Sequence, residues 1–242
     1  LGNQDPEIRY RAIIESGELT PDETADLLLT GIIHEDSPRN LAAAVRVVMG
    51  KLGNQGLELF DGYLADTGDP RLAADLLEAM ASAGGGASLE GILKPFLFHP
   101  HHRVRGNALF GLLKTSTNHA LLEKALDSLV DMVKSPEPFF RATAAVLMGS
   151  SGWSMFVPAL AKLTGDPEES VMRNAFQSLG KIRSPVSLEI LSEARTAPGL
   201  RGELARTVWK VVSEDSFQDI SRMLKSLTAQ ERTGLSAWLK QV

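Results

Sequence analysis

The sequence predicts an all-α fold, an α-solenoid (α-α superhelix) of about seven helix-turn-helix repeats closed by a C-terminal capping helix. Three observations carry this expectation. A proline, usually behind a small polar residue, recurs at near-constant spacing; each such proline opens an apolar stripe of helical period; and a Gly- or Ser-rich break splits each unit in two. The prolines are Pro6, Pro38, Pro70, Pro100, Pro136, Pro167 and Pro198, with successive separations of 32, 32, 30, 36, 31 and 31 residues. Proline suits the first helical position, where its missing N–H costs nothing, and Asp or Ser just before it supplies the cap.

The units follow in order. Repeat 5–35 opens with "QDPEIR", and its second helix begins on a capping box, Thr20-Pro21-Asp22-Glu23. In repeat 36–66 Leu41, Ala44 and Val48 share a face before the break "GKLGNQG" at 50–56. Repeat 67–98 breaks at "AGGG", 83–86. Repeat 99–134 carries Val104, Ala108 and Leu112 on one helix, breaks at "TSTN", and lines its second helix with Leu122, Leu126, Leu129 and Val133. Repeats 135–164 and 165–195 break at "GSSG" (149–152) and Gly180, and 196–227 opens with the looser "TAPGLR". In 228–242, Thr228 and Glu231 have capping-box spacing and Leu235, Trp238, Leu239 and Val242 share a face, as a closing helix would. A pair of helices this short cannot bury its apolar face alone; stacked on its neighbours it can. Residues 1–242 are therefore expected to form a single repeat domain. With no comparable cap before Asp5, it is expected to be a fragment of a longer protein.

Composition narrows the function. Aromatics are 6%, and no apolar run is long enough to span a membrane, so no membrane insertion is expected. The absence of cysteine excludes disulfides, thiolate zinc sites and Cys nucleophiles. Net charge is −5, with 7 Lys+Arg against 16 Asp+Glu (−9) in residues 1–98 and 18 against 14 (+4) in 99–242. Neither part has the basic excess that phosphate binding needs, so no nucleic-acid partner is expected. A cytoplasmic monomer, or a cytosolic domain of a larger protein, is the expectation.

The repeats resemble the HEAT repeat, in particular the short bacterial, armadillo-like kind related to phycobilisome lyases. Its first helix reads roughly Asp-Pro-x-x-x-Arg-x-x-Ala-x-x-x-Leu-Gly. "DPEIRYRAIIESG" supplies Asp5, Pro6, Arg11 and Gly17; "HPHHRVRGNALFGL" supplies Pro100, Arg105, Ala108 and Leu112. "SPEPFFRATAAVLMG" supplies Pro136, Arg141, Ala144 and Gly149, and "DPEESVMRNAFQSLG" supplies Asp166, Pro167, Arg173, Ala175 and Gly180. Repeats two and three place Ala43 and Asp75 where the Arg would stand. The resemblance implies that these Arg and Asp residues link neighbouring repeats, and that partners are gripped on the concave side lined by second helices.

That frame places the candidate sites. In "FLFHPHHRVRG" His99 stands at the cap position and His101 and His102 are adjacent, so they diverge by about 100° on a helix and do not make a ligand pair. Metal-dependent hydroxylases built on such repeats use several His-Glu pairs; this chain has one, His34-Glu35. No metal, no cofactor and no catalytic residue is therefore assigned, and the chain is expected not to be an enzyme. The alternatives kept open are a phycobilin-lyase-like or hydroxylase-like enzyme on this scaffold, or a spacer or dock for flanking domains. The favoured expectation is a non-catalytic scaffold that binds a protein or peptide, basic in character, on an acidic second-helix surface. The residues chosen are Glu58 and Asp61, Glu90, Glu123, Asp127 and Asp131, and Glu189 and Glu193, with Trp153 and Phe156 as aromatic anchors.

Overall fold

Helices begin at or just after each of the repeating prolines. The computed structural model describes residues 1–226 apart from 33 and 85, with the side chains of Asp66 and residues 215–226 left aside. The expected closing helix at 228–242 lies outside the described residues. Thirteen α-helices are described and no strand occurs among these residues: α1 Pro6–Glu15, α2 Pro21–Ile32, α3 Pro38–Leu52, α4 Asn54–Asp66, α5 Pro70–Ala83, α6 Gly86–Leu93, α7 His102–Thr115, α8 His119–Lys134, α9 Pro138–Ser151, α10 Val157–Leu163, α11 Glu169–Ile182, α12 Pro185–Ala194 and α13 Leu200–Ser226. The chain is thus an all-α, solenoid-like fold. Among the described residues no helix is long and apolar enough to cross a membrane.

Two compact units are present, the first Leu1–Leu147 and the second from Met148, with the division inside α9. In the first, α1 packs on α3, α3 on α5 and α5 on α7, so first helices form a continuous layer while α2, α4, α6 and α8 return beside them. Its core holds Val45, Val48, Phe60, Leu76, Leu77, Met80, Leu89 and Leu109, all essentially inaccessible. In the second unit α11 packs against α10, α12 and α13 around Phe176, Leu179, Leu160 and Leu191. Where a helix pair was expected over 196–227, the single 27-residue helix α13 runs instead.

The joints follow one local rule. Asp5, Asp69 and Asp166 each accept, through Oδ1, the N–H two residues on (Glu7, Arg71 and Glu168), and Ser135 Oγ does the same for Glu137. At Pro6, Pro38 and Pro70 the helix starts on the proline itself. At Pro100, Pro136 and Pro167 it starts two residues later, so these prolines belong to the preceding turn. That shift changes which arginine does the linking. Arg9, Arg105 and Arg141 are each the fourth residue of their helix. Arg11, which the resemblance selected, is exposed, whereas Arg9 is buried and reaches Glu35, Asp36 and the carbonyls of Asn3 and Gln4.

The break expected at "GSSG" falls at its end, where α9 stops at Ser151 and Gly152 takes a positive φ, whereas α11 runs past Gly180 to Ile182; Gly149 and Gly180 themselves lie within helices. Their role is close approach: a Cβ at 149 would overlap the Ser178 side chain and stand 2.7 Å from its Cα, and one at 180 would meet Val208 Cγ1 at 2.6 Å. The capping box at Thr20 forms, with Glu23 Oε2 accepting the Thr20 N–H at 3.1 Å and Thr20 Oγ1 accepting the Glu23 N–H at 3.4 Å.

Candidate functional site

The histidine segment is built from three elements. A 3-10 turn, Lys94–Phe98, ends α6; His99 follows in extended backbone and Pro100 in a bend; His101, not His99, is the N-cap of α7. His99 Nδ1 nevertheless plays the part of the aspartates at other joints, accepting the His101 N–H at 3.1 Å. An imidazole nitrogen that accepts is deprotonated, which places the His99 proton on Nε2. His102 Nδ1 lies 2.8 Å from Thr143 Oγ1 on α9, and its ring stacks between His101 (5.0 Å) and Phe139 (5.6 Å). His101 Nδ1 is buried with no hydrogen-bond partner. Burial, followed by the neighbouring charges of His101 and Arg103, pushes His102 below the ordinary histidine value; burial likewise lowers His99.

One turn further along α7, Arg105 ties the joint to α8. Its Nε donates to Ser128 Oγ at 2.7 Å and its Nη2 to Ser128 O at 2.6 Å, while Ser128 Oγ donates to Leu97 O of the 3-10 turn. Nη2 also lies 3.6 Å from Asp131 Oδ2, and the guanidinium stands over the rings of Phe98 (5.3 Å) and Phe140 (5.8 Å). On the other side Arg103 pairs with Asp75 of α5 at 2.6 Å, and Asn107 Nδ2 reaches Ala74 O at 2.7 Å. The serine explains a shift of the α8 stripe: the buried residues are Leu121, Ala125, Ser128, Leu129 and Met132, rotated from the expected Leu122–Leu126–Val133 line.

Ligand geometry at the histidines is set by these bonds. His99 Nδ1 and His102 Nδ1 are both engaged within the protein, and among the described residues no three His, Asp or Glu side chains gather as a metal site. Glu35, beside His34, is committed elsewhere. It takes Arg9 Nε at 3.0 Å and Nη2 at 2.8 Å, the Ser37 N–H at 2.9 Å and Asn40 Nδ2 at 3.2 Å. Burial alone would push its carboxyl up, but the Arg9 bond, the Ser37 N–H and Asn40 outweigh burial and hold it below the ordinary carboxylate value.

Glu123, Asp127 and Asp131 stand exposed along α8, Glu58 and Asp61 along α4, and Glu189 and Glu193 along α12; Glu90 on α6 is half-buried. Neither Glu123 nor Asp127 forms an ion pair among the described residues, whereas Asp131 sits beside Arg105. Val130, 46% exposed, lies on the same α8 face. Of the aromatic pair, Phe156 needs correction. Phe156 is buried within the second unit and cannot face a partner; Trp153 stacks on it at 5.8 Å, almost parallel, and is only partly exposed. The aromatics most available in the first unit are Phe98 and Phe139, 56% and 66% exposed, on either side of Arg105 and His102. Sequence reasoning passed over them because each lies next to a proline joint, where an aromatic reads as packing.

Residues 126–209 match a family model described as HEAT repeats. No curated protein sequence matches the chain. Among solved structures it is similar to human deoxyhypusine hydroxylase in complex with glycerol, at 16% identity and a TM-score of 0.40, over 88% of this chain and 80% of that one. The exclusion of enzymatic activity drawn from the sequence is corrected by this finding, since a structure the chain is similar to is that of an enzyme. At that level of likeness no activity is carried over.

Proposed function

From the match to HEAT repeats over residues 126–209, we propose that the chain is a HEAT-repeat scaffold binding a basic protein segment along the exposed carboxylates of its second helices. The observation that carries this reading is the row Glu123, Asp127 and Asp131 on α8. Four-residue spacing keeps neighbouring members of the row on one side of the helix, about 6 Å apart along its axis. Two of the three have no cation of their own, and Val130 sets an apolar surface among them. A pre-formed row of charge steers a basic partner and costs little ordering on binding.

The test uses a fluorescent Lys-rich peptide and the full chain, read by anisotropy. Binding is expected to weaken as salt rises, since exposed charges are screened within about 10 Å at 0.1 M salt. The triple variant Glu123→Lys, Asp127→Lys, Asp131→Lys should lose it, while Glu78→Lys, on the exposed face of α5, should not. Equal binding by the triple variant, or greater loss from Glu78→Lys, places the working face elsewhere.

A further inference from the structure

We propose that the His99–His102 segment is an acid-sensitive joint: with His99 and His102 neutral it fixes the start of α7 against α9, and protonation of those two rings releases the attachment. The geometry gives His99 and His102 each a reason to resist a proton. His99 Nδ1 accepts the His101 N–H, so a proton there sets donor against donor. His102 Nδ1 is held 2.8 Å from Thr143 Oγ1 in a half-buried ring, where a charge is poorly solvated. His101 and His102 stack at 5.0 Å, so charging both is repulsive.

The surroundings offer little relief. On α7 the next charged residues are Arg103 and Arg105, both cations. Of the carboxylates on the flanking elements, Asp75 of α5 is paired with Arg103, and Asp131 of α8 is exposed and faces Arg105. The 3-10 turn contributes Phe96 near His99 and carries Lys94; α9 contributes Phe139, Phe140 and Thr143 around His102 and carries Arg141, with Glu137 just before it. The Phe139 ring would favour a charged His102, yet the combined effect of burial and neighbouring cations is the opposite. The sign follows from this. With His99 and His102 held below the ordinary value of 6.5, the attachment is complete above that value and is lost as pH falls through it towards the folded values.

The experiment is amide hydrogen exchange on the full chain at about pH 7.5 and about pH 5, expressed as protection factors so that intrinsic rates cancel. Protection in the first turns of α7 and α9 should fall at least about threefold relative to α3, which has no histidine. The variant His99→Asn, His101→Phe, His102→Gln keeps an acceptor, a stacked ring and a partner for Thr143, and should abolish that fall. Protection independent of pH in the native chain overturns the proposal, and so does a fall that persists in the variant. Should the variant not fold, ring titration of the native chain by NMR decides, with midpoints of His99 and His102 at or above the ordinary value counting against it.

Discussion

Alanine at position 149 is expected to destabilise the second unit, even though alanine is the better helix former. Two effects compete. Replacing a helix-interior glycine with alanine gains up to about 1 kcal/mol of propensity. At Gly149 the new Cβ would stand 2.7 Å from Ser178 Cα, and backbone cannot rotate away as a flexible side chain can. Restoring an ordinary carbon contact of about 3.5–4 Å requires α9 and α11 to part by roughly 1 Å, which forfeits a quarter to a half of the dispersion attraction along that contact. Overpacking of this kind costs about 1–3 kcal/mol and occasionally more, so a net loss of about 1–2 kcal/mol is expected. The paired control is Gly62→Ala in α4, where a Cβ meets nothing within 4 Å; there propensity acts alone and stability should rise by up to about 1 kcal/mol. Urea unfolding followed by far-UV circular dichroism reads both. If Gly149→Ala stabilises as much as Gly62→Ala, close helix approach is not the reason for glycine at 149.

Three further outcomes are expected. Ser128→Ala removes the hydroxyl that accepts from Arg105 and donates to Leu97 O; with a buried carbonyl and a guanidinium N–H left short of partners, it should cost about 2–3 kcal/mol in urea unfolding. Asn118→Ala deletes the α8 cap that accepts the Leu121 N–H and should cost about 1 kcal/mol by the same measurement. For Glu35→Gln, the contribution of the native carboxylate, held below its ordinary value of 4.5, is present above that value and lost as pH falls through the folded one; the difference in urea midpoint between native and variant should therefore shrink below about pH 4.5, and a difference that widens in acid refutes the assignment.

How far the sequence could be read depended on the range of the interaction. Local chemistry was legible. The Thr20–Glu23 box, the i+2 bonds of Asp5, Asp69 and Asp166, and the stripe Leu41–Ala44–Val48 all concern residues within about two turns of one another. Contacts between repeats were not. The two-residue delay of α7 and α9 behind their prolines moves the linking arginine, and nothing in "DPEIRYR" distinguishes Arg9 from Arg11 except the partner that Glu35 provides from 26 residues away. Gly149 and Gly180 carry the same ambiguity, since glycine ends a helix or admits a neighbour, and only Ser178 or Val208 across the interface decides which. In the candidate site, the helical spacing of Glu123, Asp127 and Asp131 was visible, but the Arg105 beside Asp131 and the burial of Phe156 were not.

Ser128 bears on modularity. Its hydroxyl joins Leu97 O, at the tail of one repeat, to Arg105 on the first helix of the next, while itself residing on that repeat's second helix. A recombination or deletion that cuts between Phe98 and His99, where the proline periodicity invites it, would leave Ser128 and Arg105 facing a foreign turn. The transferable cassette is therefore offset from the period seen in the sequence: it begins with the 3-10 turn at Lys94 and ends with α8 at Lys134. Repeat arrays lengthened or shortened in that register keep the three-way hydrogen bond inside one inherited piece, whereas those cut at the proline have to rebuild it.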